Sequence, residues 1–417
     1  MPEEEAQQNK NKHRSFFSAS LSELMPGNQL TLLKNGAAYF PALETALDRA
    51  SHEIYLETYI YEDDTTGRRI AAALKRAAAR GVQVYLLIDG YGSKDLPKSL
   101  LAELRAGGIK AQIFRPKISP WSLRRKRLRR MHRKIVVIDR EIAFVGGINI
   151  IDDSTGMAAS SPRFDYAIAV QGPLVEVIRL SARHLWTQVA WSSLRKGAEH
   201  NVVLPPLSTN AGTMRATLVV RDNFRHRRDI EAIYLRAIEQ AQSEIILAHA
   251  YFLPGPVFRH ALVAAVGRGV RVVLLLQGRM EFFLQHYAAR ALYGDFLAAG
   301  IEIHEYRMSF LHAKVAVIDG HWATVGSSNI DPFSLLLSRE ANLVVDDAAF
   351  AAALEQSLKE TVAANSVPIL ADNWKEQPAY FRLMCWFSFG VLRLMMAISG
   401  YDSNDLRGRR RARHERL

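Results

Sequence analysis

A chain of 417 residues has room for two domains of ordinary size, each with a core of its own. With 49% hydrophobic and 23% charged residues it is globular in composition, and its single cysteine, Cys385, excludes an intrachain disulfide. The formal net charge of +12 favours partners made of phosphate, either nucleic acid or the anionic face of a membrane.

The N-terminal MPEEEAQQNKNKHR is polar and mixed in charge, with no apolar run of the kind a signal peptide or membrane span requires. Residues 1–28 therefore read as a polar tail, and a reducing compartment is expected. An α/β pattern then appears twice. ALDRASHEIYLETYIY (46–61) leads through a helical stretch to ARGVQVYLLIDG (79–90), and AIEQAQSEIILAHAYF (237–252) leads likewise to GRGVRVVLLLQG (267–278). The strands are unbroken apolar runs, the mark of a sheet covered on both faces. Such a long period means duplicated domains, placed at 29–212 and 213–372. The joint lies in NVVLPPLSTNAGT (201–213), rich in turn-forming residues.

The stretch from Gly90 to His132 is longer than that from Gly278 to His312, and it carries SLRRKRLRR (122–130). A run of like charge is most often a solvated face. Next come two matched blocks, MHRKIVVIDREIAFVGGIN (131–149) and LHAKVAVIDGHWATVGSSN (311–329). Duplicated architecture alone would keep the apolar positions, whereas here His, Lys, Asp, Gly and Asn also recur at the same spacing. His132 and Lys134 share one strand face, as do His312 and Lys314, with Ile135 and Val137 turned towards a core. Asp139 and Asp319 sit at odd separations from their histidines, so they are expected to hold the turn ending each strand.

A nucleophilic histidine needs a carboxylate to fix its tautomer and support its developing charge. Asp165, on the strand after the first motif, and Glu340, in the comparable place after the second, are the candidates, each paired with the histidine of its own half. The last element, AYFRLMCWFSFGVLRLMMAISGY (379–401), is long enough to span a bilayer but contains Arg382 and Arg393, about 20° apart on a helical wheel. An interfacial helix fits best, with the arginines in the headgroups and aromatics such as Trp386 below. Packing on the protein and a true span are the alternatives. With the basic tail RGRRRARHER (407–416), residues 373–417 form a membrane-associating segment.

HRKIVVID and HAKVAVID match the His-x-Lys-x(4)-Asp signature of the phospholipase D superfamily, and GGIN and GSSN match its Gly-Gly/Ser-x-Asn extension. Within it the chain resembles the bacterial cardiolipin synthases that lack N-terminal membrane spans. LLKNGAAYFPAL (32–43), VRDNFRHRRDIE (220–231) and HWATVGSSNIDPFSL (321–335) carry that likeness, which covers about 30–370. The resemblance implies two helix-sandwiched mixed sheets related by a pseudo-two-fold axis, with one active site at their interface. It implies a catalytic set of His132, Lys134, Asp139, His312, Lys314 and Asp319, with His132 as nucleophile and His312 as proton donor and then acceptor. Lys134, Lys314, Asn149, Asn329 and the Ser327 hydroxyl are expected to bind phosphate oxygens. Beside such a site, Arg124, Arg125, Lys126 and Arg127 are expected to gather anionic headgroups, with Trp121 at the interface. The reaction implied is phosphatidyl transfer between two phosphatidylglycerol molecules, giving cardiolipin and glycerol, at the cytoplasmic face of the bacterial membrane. Exchange of one phosphodiester for another needs no nucleotide, and no nucleotide-binding loop or metal-ligand spacing is found, so neither cofactor nor metal is expected. A phospholipase-type hydrolase, a nucleic-acid phosphodiesterase and a catalytically dead lipid-binding scaffold are the alternatives. Nucleic acid is disfavoured by the aromatic C-terminal segment, and oligomeric state is left open.

Overall fold

The computed structural model describes residues 23–116, 129–152, 163–192, 204, 206–207, 210–222, 226–331, 334 and 338–398. Trp121, Arg124, Arg125, Lys126 and Arg127, and the tail beyond 398, lie outside the described residues. The first half runs β1 (Met25–Lys34), α1 (Asn35–Arg49), β2 (Glu53–Thr58), α2 (Thr65–Ala79), β3 (Gln83–Asp89), α3 (Lys98–Ala106), β4 (Lys110–Phe114), β5 (Arg130–Met131), β6 (Lys134–Ile138), β7 (Ile142–Gly146), β8 (Tyr166–Gln171), α4 (Leu174–Ser192). The second runs β9 (Met214–Arg221), α5 (Asp229–Gln240), β10 (Glu244–His249), α6 (Pro256–Gly267), β11 (Arg271–Gln277), α7 (Phe283–Arg290), α8 (Tyr293–Ala298), β12 (Glu302–Tyr306), β13 (Lys314–Ile318), β14 (Trp322–Gly326), β15 (Ser338–Asp346), α9 (Ala348–Asn365). β16 (Ser366–Pro368), α10 (Ala371–Lys375) and α11 (Ala379–Ile398) follow.

The strands form one sixteen-stranded mixed sheet. Its two halves repeat the same order outward from the centre, β1-β8-β7-β6-β2-β3-β4 and β9-β15-β14-β13-β10-β11-β12, and β1 and β9 join them antiparallel. The half-sheets thus meet edge to edge. β1 begins at Met25, inside the stretch read as a tail, because Met25 finds a partner in distant Ala216. We propose that the two units divide between α4 and β9.

Burial on both faces explains the unbroken apolar strands. In β6, Ile135 and Val137 enter an inner core shared by both halves, which α4 and α9 cover with Ile178, Leu185, Phe350 and Leu354. Val136 and Ile138 enter an outer core under α1, α2 and α3. Each fully buried side chain of this kind contributes about 1.5–3 kcal/mol. Two short cross-half pairings set the centre: β5 runs parallel to β15, and Phe164 bridges to Leu311. Each pairing ties the residue just before a motif histidine to the opposite half.

The second half carries an extension. β16 adds to the free edge of β12, whereas β4 has no such neighbour among the described residues. Helix α11 buries Cys385, Ser388 and Leu392, and its Phe381 ring meets Tyr287 of α7 at 5.8 Å. Its outward arc leaves Tyr380, Leu383, Trp386 and Phe387 exposed, with Arg382 and Arg393 also exposed. Packing on the protein and an outward apolar face therefore coexist. Among the described residues no helix is long and apolar enough to cross a membrane.

Candidate active site

His132 and His312 each hang from the other half of the molecule. The His132 backbone N–H donates to Arg339 O at 2.9 Å, and that of His312 to Phe164 O at 2.8 Å. Asp89 supports the first arrangement by accepting from Met131 N–H at 2.8 Å. The imidazoles follow their backbones. His132 Nδ1 lies 3.1 Å from Glu340 Oε2 and 3.1 Å from Ser327 O, while His312 Nδ1 lies 2.6 Å from Asp165 Oδ2. A carbonyl and an ionised carboxylate only accept, so Nδ1 holds the hydrogen in both rings and Nε2 is left for chemistry.

The expected pairing of Asp165 with His132 and Glu340 with His312 is therefore corrected. Both carboxylates are present, but each serves the histidine of the opposite half. The cross-half strand pairings bring the start of β15 to His132 and the start of β8 to His312.

Lys134 Nζ donates to His132 O at 2.8 Å, and Lys314 Nζ donates to His312 O. Both are buried. Burial is the main cause that brings Lys134 down to about 7 and Lys314 to about 8. It also holds both histidines below the ordinary imidazole range, His312 the further, with the Lys314 and Arg163 charges next in effect. Near pH 8 the empty site therefore holds fewer protons than two ordinary imidazoles and two ordinary ammonium groups would. A bound phosphodiester raises the affinity of all four groups for protons, so binding takes protons up. Calorimetry of glycerophosphoglycerol binding near pH 8, in buffers of different ionisation enthalpy, should show that uptake. Equal heats in all buffers would contradict it.

Asn149 Oδ1 accepts from Ile60 N–H at 3.1 Å, and Asn329 Oδ1 from Tyr251 N–H at 3.3 Å. Each amide oxygen is thereby held on backbone, which fixes the orientation of the NH2 end. Ser327 is corrected from phosphate ligand to support. Its hydroxyl is buried and donates to Glu340 Oε2 at 2.5 Å, while accepting from Ala341 N–H at 3.0 Å. At the matching first-half position, Gly147, an added Cβ would stand 2.4 Å from both Asp165 oxygens. The halves thus use matched pairs, a long Glu with Ser and a short Asp with Gly. Gly147→Ser is expected to cost about 1–3 kcal/mol in urea unfolding, together with most activity. Adding Asp165→Glu, which copies the second half, should restore activity at least ~10-fold over the single variant.

Asp139 and Asp319 belong to the motifs but not to the site, which corrects their place in the catalytic set. Asp139 accepts from the N–H groups of Ser51, His52 and Glu53, and Asp319 from those of Gln242, Ser243 and Glu244. Both sit at φ 51°, closing the turn after their strand, as the parity of the spacing implies. Arg382, Trp386 and Arg393 lie on α11, outside the histidine cluster.

Sequence reasoning missed Tyr59. Its ring packs edge-on against His132 at 4.7 Å between centroids, with Lys134 Nζ 5.3 Å from the ring centre. Aligning the repeats puts Ala250 opposite it, an asymmetry visible in the sequence itself. Also missed was a rim link in which Tyr251 donates to Glu281, whose carboxylate lies 3.7 Å from Arg163.

The family described as "Cardiolipin synthase, PLD-like domain" matches residues 43–186 and 234–362. The chain is 42% identical over 343 residues to "Cardiolipin synthase B" of Escherichia coli (strain K12), covering 81% of each chain. It is 33% identical over 316 residues to "Cardiolipin synthase" of Geobacillus thermodenitrificans, covering 76% of this chain and 62% of that one. Among solved structures, phosphatidylserine synthase from Haemophilus influenzae aligns over 89% of this chain and 94% of its own with a TM-score of 0.63. At 12% identity that likeness concerns the fold alone.

Proposed function

The chain belongs to the cardiolipin synthase family of phospholipase D-like enzymes, and from that premise we propose that its crossed histidine pair moves a phosphatidyl group from one phosphatidylglycerol to another. It is a phosphatidyltransferase and it acts on phospholipids. The observation that carries the mechanism is the pair of imidazoles, one from each half, each with Nδ1 on a carboxylate and a buried lysine beside it.

His132 Nε2 attacks the phosphorus, and the bond from phosphorus to the glycerol oxygen breaks. The imidazolium of His312 gives its Nε2 proton to that oxygen, and glycerol leaves. The phosphatidyl-histidine so formed carries positive charge, which Glu340 supports through Nδ1–H. Neutral His312 then takes the hydroxyl proton of a second phosphatidylglycerol, whose oxygen attacks phosphorus as the bond to nitrogen breaks. Cardiolipin departs and the starting site returns. Tyr59 braces the His132 ring, which favours His132 as nucleophile. Lys134, Lys314, Asn149 and Asn329 offset charge on the non-bridging oxygens. Incubation with phosphatidylglycerol vesicles, followed by mass spectrometry, should find cardiolipin and glycerol. Phosphatidic acid in their place would make water the acceptor, and cleavage of DNA without lipid products would replace the reading altogether.

The same reading places the enzyme on the cytoplasmic face of the membrane, held by the outward face of α11. Met280, Phe282 and Phe283 add exposed apolar surface, and Phe282 lies against the Tyr251 ring at the rim of the site. Trp386→Asp combined with Phe387→Asp should lower binding to anionic vesicles about tenfold or more in sedimentation, with the soluble fold intact. Unchanged binding would remove α11 as the anchor.

A further inference from the structure

The extension that breaks the symmetry of the two halves also builds a cleft of about 620 Å3, between the β12–β16 edge and helices α10 and α11. No motif residue lines it. Its floor is basic. Arg290 and Arg307 both pair with buried Glu305, Arg307 at 2.8 Å, and Arg279 Nε donates to Arg307 O at 2.8 Å. Arg290 and Arg307 thus share one buried carboxylate, and Arg279 adds a third guanidinium to the lining. The positive field registers on neighbouring His286, pushed down to about 4 by burial first and then by Arg290 and Arg307.

The upper walls are apolar: Ile369, Leu370, Trp374 and Phe381. Leu370 is 56% exposed, and Tyr380 and Leu383, which flank Phe381 on α11, are exposed as well. The cleft therefore grades from a basic floor to a greasy rim that continues into the outward face of α11. The duplicated scaffold does not account for it. Gly90 N–H donates to Phe114 O as Gly278 N–H donates to Tyr306 O, so Tyr91, Ile113 and Arg115 are the first-half counterparts of Arg279, Glu305 and Arg307. That half has one arginine where this one has two, and no β16 on its edge among the described residues. The rim lies beyond the residues matched by the family.

We infer that this cleft is a second, non-catalytic binding site for the phosphate headgroup of an anionic membrane phospholipid, with Arg279 and Arg307 on the phosphate and Trp374 and Phe381 against the glycerol and first acyl carbons. It rests on the membrane reading above and adds a lipid position separate from the histidine pair. Binding there while the catalytic site turns over would hold the enzyme to lipid-rich surface between cycles.

The test is equilibrium binding of monomeric dihexanoylphosphatidylglycerol to the full chain, with His132→Ala blocking turnover. Two equivalents should bind, falling to one when Arg279→Gln and Arg307→Gln are added. One equivalent before and after those changes would overturn the inference. Trp374→Ala keeps the arginines and should weaken the second equivalent about tenfold while leaving inorganic phosphate binding unchanged; no weakening would remove the lipid from the cleft. Inorganic phosphate competing as well as the lipid would likewise make this a free-phosphate site. The α11 variant separates the two readings, because loss of vesicle sedimentation with both equivalents retained sustains the cleft independently. If sedimentation by that variant is unchanged while the second equivalent is present, the anchor fails and the cleft stands.

Discussion

Cardiolipin formation by His132→Ala is expected to fall by at least about 10^4-fold, because the alanine side chain offers no nitrogen to attack phosphorus. His312→Ala should be comparably inactive on phosphatidylglycerol, whose glycerol leaving group needs a proton. The two variants part company on a phosphatidyl ester of p-nitrophenol, which leaves without one. There His312→Ala should still release a burst of p-nitrophenol close to one per enzyme and then stall, since no base is left to activate the acceptor. His132→Ala should give no burst. Bursts from neither variant, or from His132→Ala alone, would reverse or remove the assigned roles.

Glu340→Gln should lower turnover by about 10^2–10^4-fold, in the range seen when a carboxylate that fixes a catalytic tautomer becomes an amide. Its specific signature is where the change is felt. In 15N spectra of labelled histidines, Glu340→Gln should alter the Nδ1 signal of His132 and leave that of His312, whereas Asp165→Asn should do the reverse. The distances behind this are 3.1 Å from His132 to Glu340 and 2.6 Å from His312 to Asp165. Effects confined to the histidine of the same half would contradict the crossed arrangement. Ser327→Ala, which removes the hydroxyl bound to Glu340, should move the His132 signal in the same sense and to a smaller extent.

Much of this is legible in the amino-acid sequence. Unbroken apolar strands such as QVYLLID and RVVLLLQ announce a sheet covered on both faces, and the repeated His-x-Lys of the two motif blocks marks side chains that the fold gathers into one cluster. Parity along the strand also placed Asp139 and Asp319 in structural turns. What stayed hidden depends on pairing between distant segments. Nothing near Met25 says that it meets Ala216, and nothing near Phe164 says that it meets Leu311, yet those contacts fuse the sheets and cross the carboxylates. The Ser327 contact is hidden for a related reason. A serine two residues before the motif asparagine reads as a phosphate ligand until its hydroxyl is seen on Glu340. Tyr59 lies in a strand-ending run of aromatic residues, where a site residue and a core residue look alike, and only the Ala250 in the other repeat marks it out. The cleft escaped because β13, β14, β15 and α9 lie along the chain between its floor, which ends at Arg307, and its rim, which begins at Ile369.

The proposed reaction passes through a covalent intermediate on one histidine of a shared, crossed site. The most direct measurement is peptide mapping by mass spectrometry after a rapid alkaline quench during turnover of phosphatidylglycerol. A phosphatidyl adduct on Nε2 of His132, absent from His132→Ala, is the predicted result. An adduct on His312 alone, or turnover with no histidine adduct at all, would contradict it.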